Sequence, residues 1–202
     1  MKWPAMGYAR VESLADLWRV MDEAGPEAQI LAGGQSLLAT LSFRLSEPSG
    51  LIDITRISAL KGIAVQGDAL RIGALTRHAD LGRDPLVATH APLLAKAAPL
   101  IAHPAIRNRG TIGGSLALAD PAAELPACVV ALGATIVIAS KAGERRIAAE
   151  DFFQGLFSTD LQPGEIIAAV EVPVATAASR HAIVEVTRRS GDYAMAGLAA
   201  VL

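Results

Sequence analysis

Residues 109–115 read Arg109-Gly110-Thr111-Ile112-Gly113-Gly114-Ser115, and residues 32–36 read Ala32-Gly33-Gly34-Gln35-Ser36. Both stretches place two adjacent glycines ahead of a hydroxyl residue, directly in the second and one residue removed in the first. Glycine tolerates positive φ and has no Cβ, so successive N–H groups can turn inward and the backbone can come close to a ligand. Backed by the start of a helix, such a turn forms a nest for phosphate. A diphosphate carries two phosphoryl groups, and two such loops could hold it from both sides, with Arg107 and Arg109 just upstream of the second. Either loop alone reads more readily as an ordinary tight turn, because a lone Gly-Gly is a weak motif.

The surroundings of the first loop predict a small α/β unit over residues 1–54. Leu14, Leu17, Trp18 and Met21 lie at helical spacing within Val11–Ala24, and Gly25-Pro26 stops that helix. Ala28–Ala32 reads as a strand. Ser36 is positioned to cap a helix running through Leu45, and Leu51–Ile54 is the next strand. Residues 55–175 have a different, mixed texture. Ile63–Gln66 and Ala69–Ile72 flank Gly67-Asp68, a two-residue hairpin signal. Helical stretches are expected over Thr76–Leu81 and His90–Ile101, and from Asp120, which reads as an N-cap followed by Pro121 and by Glu124 in the capping turn. Strands are expected at Thr135–Ala139, Glu144–Ile147 and Ile166–Val172. After a linker at Ala175–Ser179, residues 180–202 open a further region: His181–Val186 is a strand, and Tyr193–Leu202 continues as an apolar element. The last nine residues are too apolar for a solvated tail, so a partner or further domain is expected to cover them, the chain being read as a truncated form.

Several function classes drop out. There is no G-x-x-x-x-G-K-[ST], and no G-x-G-x-x-G with a later acidic residue, which argues against P-loop and dinucleotide-binding Rossmann domains. The chain of 202 residues is 52% hydrophobic and carries 18 Lys and Arg against 20 Asp and Glu, so no basic excess points to nucleic acid. One cysteine, Cys128, permits neither an internal disulfide nor a cysteine-held iron–sulfur cluster in this chain, and it reads as a buried small hydrophobe. The four histidines share no ligand spacing, so no metal site is expected. No apolar run reaches membrane-spanning length and no secretory h-region opens the sequence, so the expectation is a cytoplasmic protein.

AGGQSLL, FRL, LIDI, IRNRGTIGGSLALADPAAELPA, DFFQGLFSTDLQPGEII and TRRSGDYA follow one another in an order that resembles one family. It is the medium, FAD-binding subunits of the molybdenum hydroxylases, which include carbon monoxide dehydrogenase, xanthine dehydrogenase and bacterial N-heterocycle hydroxylases. The resemblance implies an α+β FAD-binding fold of the vanillyl-alcohol oxidase (PCMH) type, with two subdomains followed by the start of a C-terminal α/β domain. It implies that Ala32, Gly33, Gly34, Gln35 and Ser36 form the first diphosphate loop and Thr111, Ile112, Gly113, Gly114 and Ser115 the second. Leu37, Ile101, Ala102 and Ile106 match positions that wall the cofactor. Glu124 matches an acidic position near the adenosine ribose, although a helix-capping role is open to it as well. Ile167 and Tyr193 match positions near the isoalloxazine, where Tyr193 either stacks on the ring or simply packs in the core. Ser115 stands where many relatives have Asn or Asp, and Glu185 stands near a position where many have Lys.

The resemblance further implies an oxidoreductase subunit without acid–base residues of its own. Its FAD takes electrons from a small subunit with two [2Fe–2S] clusters and passes them to quinone, NAD or oxygen, while a large molybdenum-cofactor subunit transforms the substrate. Two other readings stay open at this level: a flavin-free binding or assembly module, and a stand-alone flavin oxidase. Neither the substrate nor the acceptor is written in the sequence.

Overall fold

The computed structural model describes Trp3 and residues 5–202. The first lobe alternates strand and helix: β1 (Gly7–Arg10), α1 (Leu14–Ala24), β2 (Gln29–Leu31), α2 (Leu37–Ser42) and β3 (Gly50–Asp53). Its three strands are parallel in the order β1-β3-β2, with Ile52 of β3 paired to Ala9 on one side and Ile30 on the other. Helix α1 starts where the Ser13 hydroxyl accepts the N–H of Asp16 at 3.1 Å, and buries Leu17 completely. Asp53, at the end of the central strand, is 5% exposed and accepts from the Tyr8 hydroxyl at 2.6 Å, from Arg10, and from both the hydroxyl and the N–H of Thr55. That carboxylate ties β1 to β3 and closes the turn that leaves the lobe.

The second lobe is antiparallel. Strands β4 (Ile63–Gln66) and β5 (Ala69–Gly73) form the hairpin predicted around Gly67, whose φ is +62°. Six short helices follow: α3 (His78–Leu81), α4 (Pro85–His90), α5 (Pro92–Ala97), α6 (Pro104–Arg107), α7 (Ile112–Leu118) and α8 (Glu124–Ala131). Then come β6 (Thr135–Ser140), β7 (Gly143–Ala148), α9 (Ala149–Phe152), the small pair β8 (Phe153–Gly155) and β9 (Ser158–Thr159), and β10 (Ile166–Pro173). The five-stranded sheet runs β4-β5-β10-β6-β7. The chain finishes with the hairpin of β11 (His181–Val186) and β12 (Ala196–Val201).

Strand β10 joins the two lobes. Ile167, Val170 and Val172 face the helices of the second lobe, whereas Ile166, Ala168 and Ala169 belong to a cluster with Val11, Leu17, Ile52 and Ile54 of the first. Ala168 and Ala169 share a side because the pairing with β6 slips between Ile167 and Ala169. This bulge bends the strand and turns an extra small residue toward the first lobe.

Three local expectations fail. The run His90–Ile101 is not one helix: Ala91 leaves helical geometry at φ −137° and Pro92 starts α5 afresh. Proline lacks an N–H, so it is favoured at a first helical position and breaks an interior. Asp120 does not cap α8, which begins at Glu124 after Ala123; the Asp120 carboxylate instead accepts the N–H of Ala122 in a turn. Ser36 makes no side-chain cap on α2, which ends at Ser42 rather than Leu45, followed by Arg44 at φ +55°.

Candidate functional site

A cavity of about 820 Å³ lies between the lobes. The first loop, Ala32 to Ser36, and Leu37 behind it line one wall; Thr111, Gly113, Gly114 and Ser115 line the facing one. Ile101, Ala102, Ile106, Glu124, Ile167 and Tyr193 complete sixteen of the seventeen positions that the resemblance implied. Ile112 is the exception. Its side chain is 0% exposed, in the core of the second lobe, because α7 starts there and turns it inward.

The two loops do different work. Among the described residues, the backbone N–H groups of Gly33, Gly34, Gln35, Ser36 and Leu37 have no protein acceptor. Gly34 sits at φ +72°, the left-handed geometry that points neighbouring N–H groups the same way. In the second loop most N–H groups are already committed. Ile112 donates to Thr76 and Gly113 to Ala74, both at 2.9 Å, while Gly114 donates to the Thr111 hydroxyl and Ser115 to the Thr111 carbonyl. With His78 N–H donating to Gly110 at 3.0 Å, these bonds lash the second loop to residues 74–78. The symmetrical cradle expected from sequence is therefore an asymmetric one: loop one supplies unpartnered donors, loop two a rigid surface.

The glycines permit the closeness of these layers. A Cβ at Gly33 would lie 2.3 Å from the Arg109 carbonyl oxygen, and one at Gly113 would lie 2.6 Å from the Ala74 Cβ. The loops thus touch backbone to backbone. Arg107 is not a ligand-facing cation; its guanidinium donates to the carbonyls of Ile101 and Ala102 at 2.7 and 2.9 Å. Ala102 has a φ of +39°, a strained value for a residue with a side chain, so the arginine pins that stretch of wall. Arg109 is exposed and does not line the cavity.

At the other end, Tyr193 lines the cavity yet is 71% exposed, on a loop before β12 rather than within a strand, so the core-packing alternative fails. Gly191 docks this loop: a Cβ there would meet the His103 ring at 2.7 Å. Burial of the hydroxyl end, with Asp120 and then Glu124 facing it, pushes Tyr193 above its ordinary pKa. Glu124 is raised by burial, with Glu185 and Asp120 repelling its charge; Glu185 is raised by burial alone. Cys128 is fully buried, and burial followed by repulsion from Glu124 and Glu185 pushes its thiol up to about 12. His78, His103, Gly110, Leu161 and Asp192 also line the cavity, and sequence reading missed them. Gly110 falls within the second glycine loop; the other four belong to neither loop, and only the fold brings them there.

Residues 4–175 match the family model described as FAD binding domain in molybdopterin dehydrogenase. The chain belongs to this family. The "6-hydroxypseudooxynicotine dehydrogenase complex subunit alpha" of Paenarthrobacter nicotinovorans is 45% identical over 202 residues, covering 100% of this chain and 68% of that protein. The structure of carbon monoxide dehydrogenase from Hydrogenophaga pseudoflava lacking the Mo-pyranopterin moiety of the molybdenum cofactor superposes with a TM-score of 0.97. It is 40% identical, covering 100% of this chain and 70% of the other. Quinoline 2-oxidoreductase from Pseudomonas putida 86 gives a TM-score of 0.92 at 45% identity, covering 96% of this chain and 67% of the other. The fold is thus the α+β FAD-binding fold of the molybdenum hydroxylases, and the chain is the FAD-binding medium subunit type of oxidoreductase. Among the described residues, no helix is long and apolar enough to cross a membrane. The cavity fits its cofactor: FAD is a long dianion, and the unpartnered N–H groups of loop one supply donors for it without a buried lysine or arginine.

Proposed function

We propose that this chain holds FAD in the inter-lobe cavity as the electron outlet of a cytoplasmic molybdenum hydroxylase complex. A small subunit with two [2Fe–2S] clusters would feed it, and a large molybdenum-cofactor subunit would carry out the substrate chemistry. The observation that supports this most is the row of unpartnered N–H groups from Gly33 to Leu37, facing a cavity in a chain of this family. FAD, when bound, supplies the redox chemistry, accepting electrons singly and releasing them singly or in pairs to quinone, NAD or oxygen.

The protein's part is to bind, orient and shield. Loop one would take the diphosphate on backbone donors, and Thr111, Gly113, Gly114 and Ser115 would press it from the far side. Glu124 would hold the adenosine ribose, one of its roles that needs no capping bond. Ile101, Ala102 and Ile106 would wall the cofactor, while Ile167 and Tyr193 would border the isoalloxazine. We take residues 1–54 and 55–175 as the two lobes of the FAD site, and 180–202 as a separate hairpin region that contributes through the loop bearing Tyr193. The test is to purify the chain together with its genomic neighbours. Copurification with molybdenum and iron–sulfur subunits, and noncovalent FAD released by acid into the supernatant, are expected. Yellow colour retained in the denatured pellet, or a chain that never joins such subunits, would sink the proposal.

A further inference from the structure

Among the described residues, three buried side-chain polar atoms have no hydrogen-bond partner: Thr76 Oγ1 and both ring nitrogens of His78. A buried polar group left unpaired costs roughly 1–3 kcal/mol, so such an orphan calls for a reason. His78 is 7% exposed and lines the FAD cavity. Its backbone N–H already bonds Gly110, which anchors the second loop without help from the ring. The imidazole stands against Gly110, where a Cβ would come within 2.9 Å of both Nδ1 and Cε1. The missing side chain at Gly110 is what makes room for the ring. Burial holds His78 below its ordinary pKa and Arg107 adds to this, against a raising contact with the Thr111 backbone. A neutral imidazole offers one N–H donor and one acceptor nitrogen.

Building on the placement of FAD in this cavity, we propose that His78 is a further cofactor-binding residue, its imidazole N–H donating to an oxygen of the diphosphate–ribityl portion of FAD. Three observations bear on that portion. The ring is next to Gly110, Gly110 is in backbone contact with Gly33, and Gly33 opens the row of unpartnered donors in loop one. The orphaned N–H of the ring is then preorganised in the apoprotein and satisfied on binding. It supplies a side-chain donor on the side where loop two has spent most of its own N–H groups.

The experiment titrates FAD into the full-length apoprotein and follows flavin fluorescence, for wild type, His78→Leu, His78→Asn and Gly34→Val. His78→Leu should weaken FAD about tenfold or more, the effect of losing one hydrogen bond to a charged ligand. His78→Asn, which keeps a donor, should recover most of the affinity. The apoprotein of His78→Leu should melt no lower than wild type, because an unpaired buried group has been removed; a purely structural role for the ring would lower it. An affinity for His78→Leu within twofold of wild type, while Gly34→Val loses FAD, would overturn the proposal alone. Wild-type affinity in Gly34→Val would overturn the placement of FAD itself. Should the leucine variant not fold, the imidazole ¹⁵N shifts of wild-type His78 decide. They should move on adding FAD, and unchanged shifts overturn the proposal.

Discussion

At the scale of single residues, the glycines of the cavity divide into two kinds. Gly34 is needed for its backbone angle: at φ +72° a β-branched side chain is strongly disfavoured, and a Cβ would also meet Leu38 at 2.9 Å. Gly34→Val should therefore misdirect the donors of loop one and lower FAD affinity by at least a hundredfold, measured by fluorescence titration. Gly33 has no unusual angle but has no space, its Cβ position lying 2.3 Å from a backbone oxygen. Gly33→Ala should push the loops apart and reduce both FAD content and Tm, two effects that Gly34→Val should show unequally. Asp53 makes a different kind of claim. Burial would raise its pKa, but bonds from Thr55, Tyr8 and Arg10 outweigh this and hold it below its ordinary value. A depressed carboxylate contributes stability that is present above its unfolded pKa and fades as pH falls through the folded one. Asp53→Asn should thus cost about 1–3 kcal/mol at pH 7, as a buried charged hydrogen-bond group does. The gap from wild type in urea unfolding should close in acid, below the ordinary aspartate range. A gap that does not change with pH would refute this account.

At the scale of elements, the wall at residues 101–103 and helix α1 show how the site depends on distant support. Ala102 stays at positive φ because Arg107, one turn of chain later, donates to its carbonyl and to that of Ile101. Arg107→Met keeps the stem and removes the clamp; FAD affinity should drop several-fold with little change in the far-ultraviolet spectrum. Leu17 of α1 is completely buried in the cluster shared with Val137 and Ala169 of the second lobe. Leu17→Ala should cost about 2–5 kcal/mol in urea unfolding, with both lobes melting in one transition. Two separate transitions would mean that β10 does not couple them. The run from His90 to Ile101 illustrates an element misread from sequence: its apolar residues suit one helix, but Pro92 imposes a restart and leaves two short helices packed side by side.

At the scale of the whole molecule, the β11–β12 hairpin leaves one apolar face uncovered. Ile183 and Ala199 turn toward the core, whereas Val184, Val186 and Leu198 are 64%, 56% and 68% exposed on the opposite face. An apolar face of this kind favours association. The isolated 202-residue chain should self-associate in sedimentation velocity at micromolar concentration, and Val184→Lys with Leu198→Lys should return it to a monomer. A wild-type chain that stays monomeric would contradict the expectation. The acidic groups Asp120, Glu124 and Glu185 approach one another only because this hairpin folds back along α8, bringing residues 61 positions apart in sequence, Glu124 and Glu185, to one place.

What the sequence determined by itself was local and repetitive: two glycine-pair turns, the β4–β5 hairpin around Gly67, the amphipathic helix stopped by Gly25-Pro26, and the order of motifs that marks the family. Each depends on neighbours in the chain, through backbone angle, period or capping chemistry. The tertiary structure alone decided what those turns do. Whether an N–H is free for a ligand depends on acceptors elsewhere; Ala74 and Thr76 take the donors of Gly113 and Ile112 in loop two, and among the described residues nothing takes those of loop one. The same holds for Arg107, noted just upstream of the second loop but spent on two carbonyls, for Ile112, turned into the core, and for Tyr193, left exposed at the cavity rim. His78 was invisible for the same reason. A buried ring without a partner is a property of packing in three dimensions, and no spacing in the chain announces it.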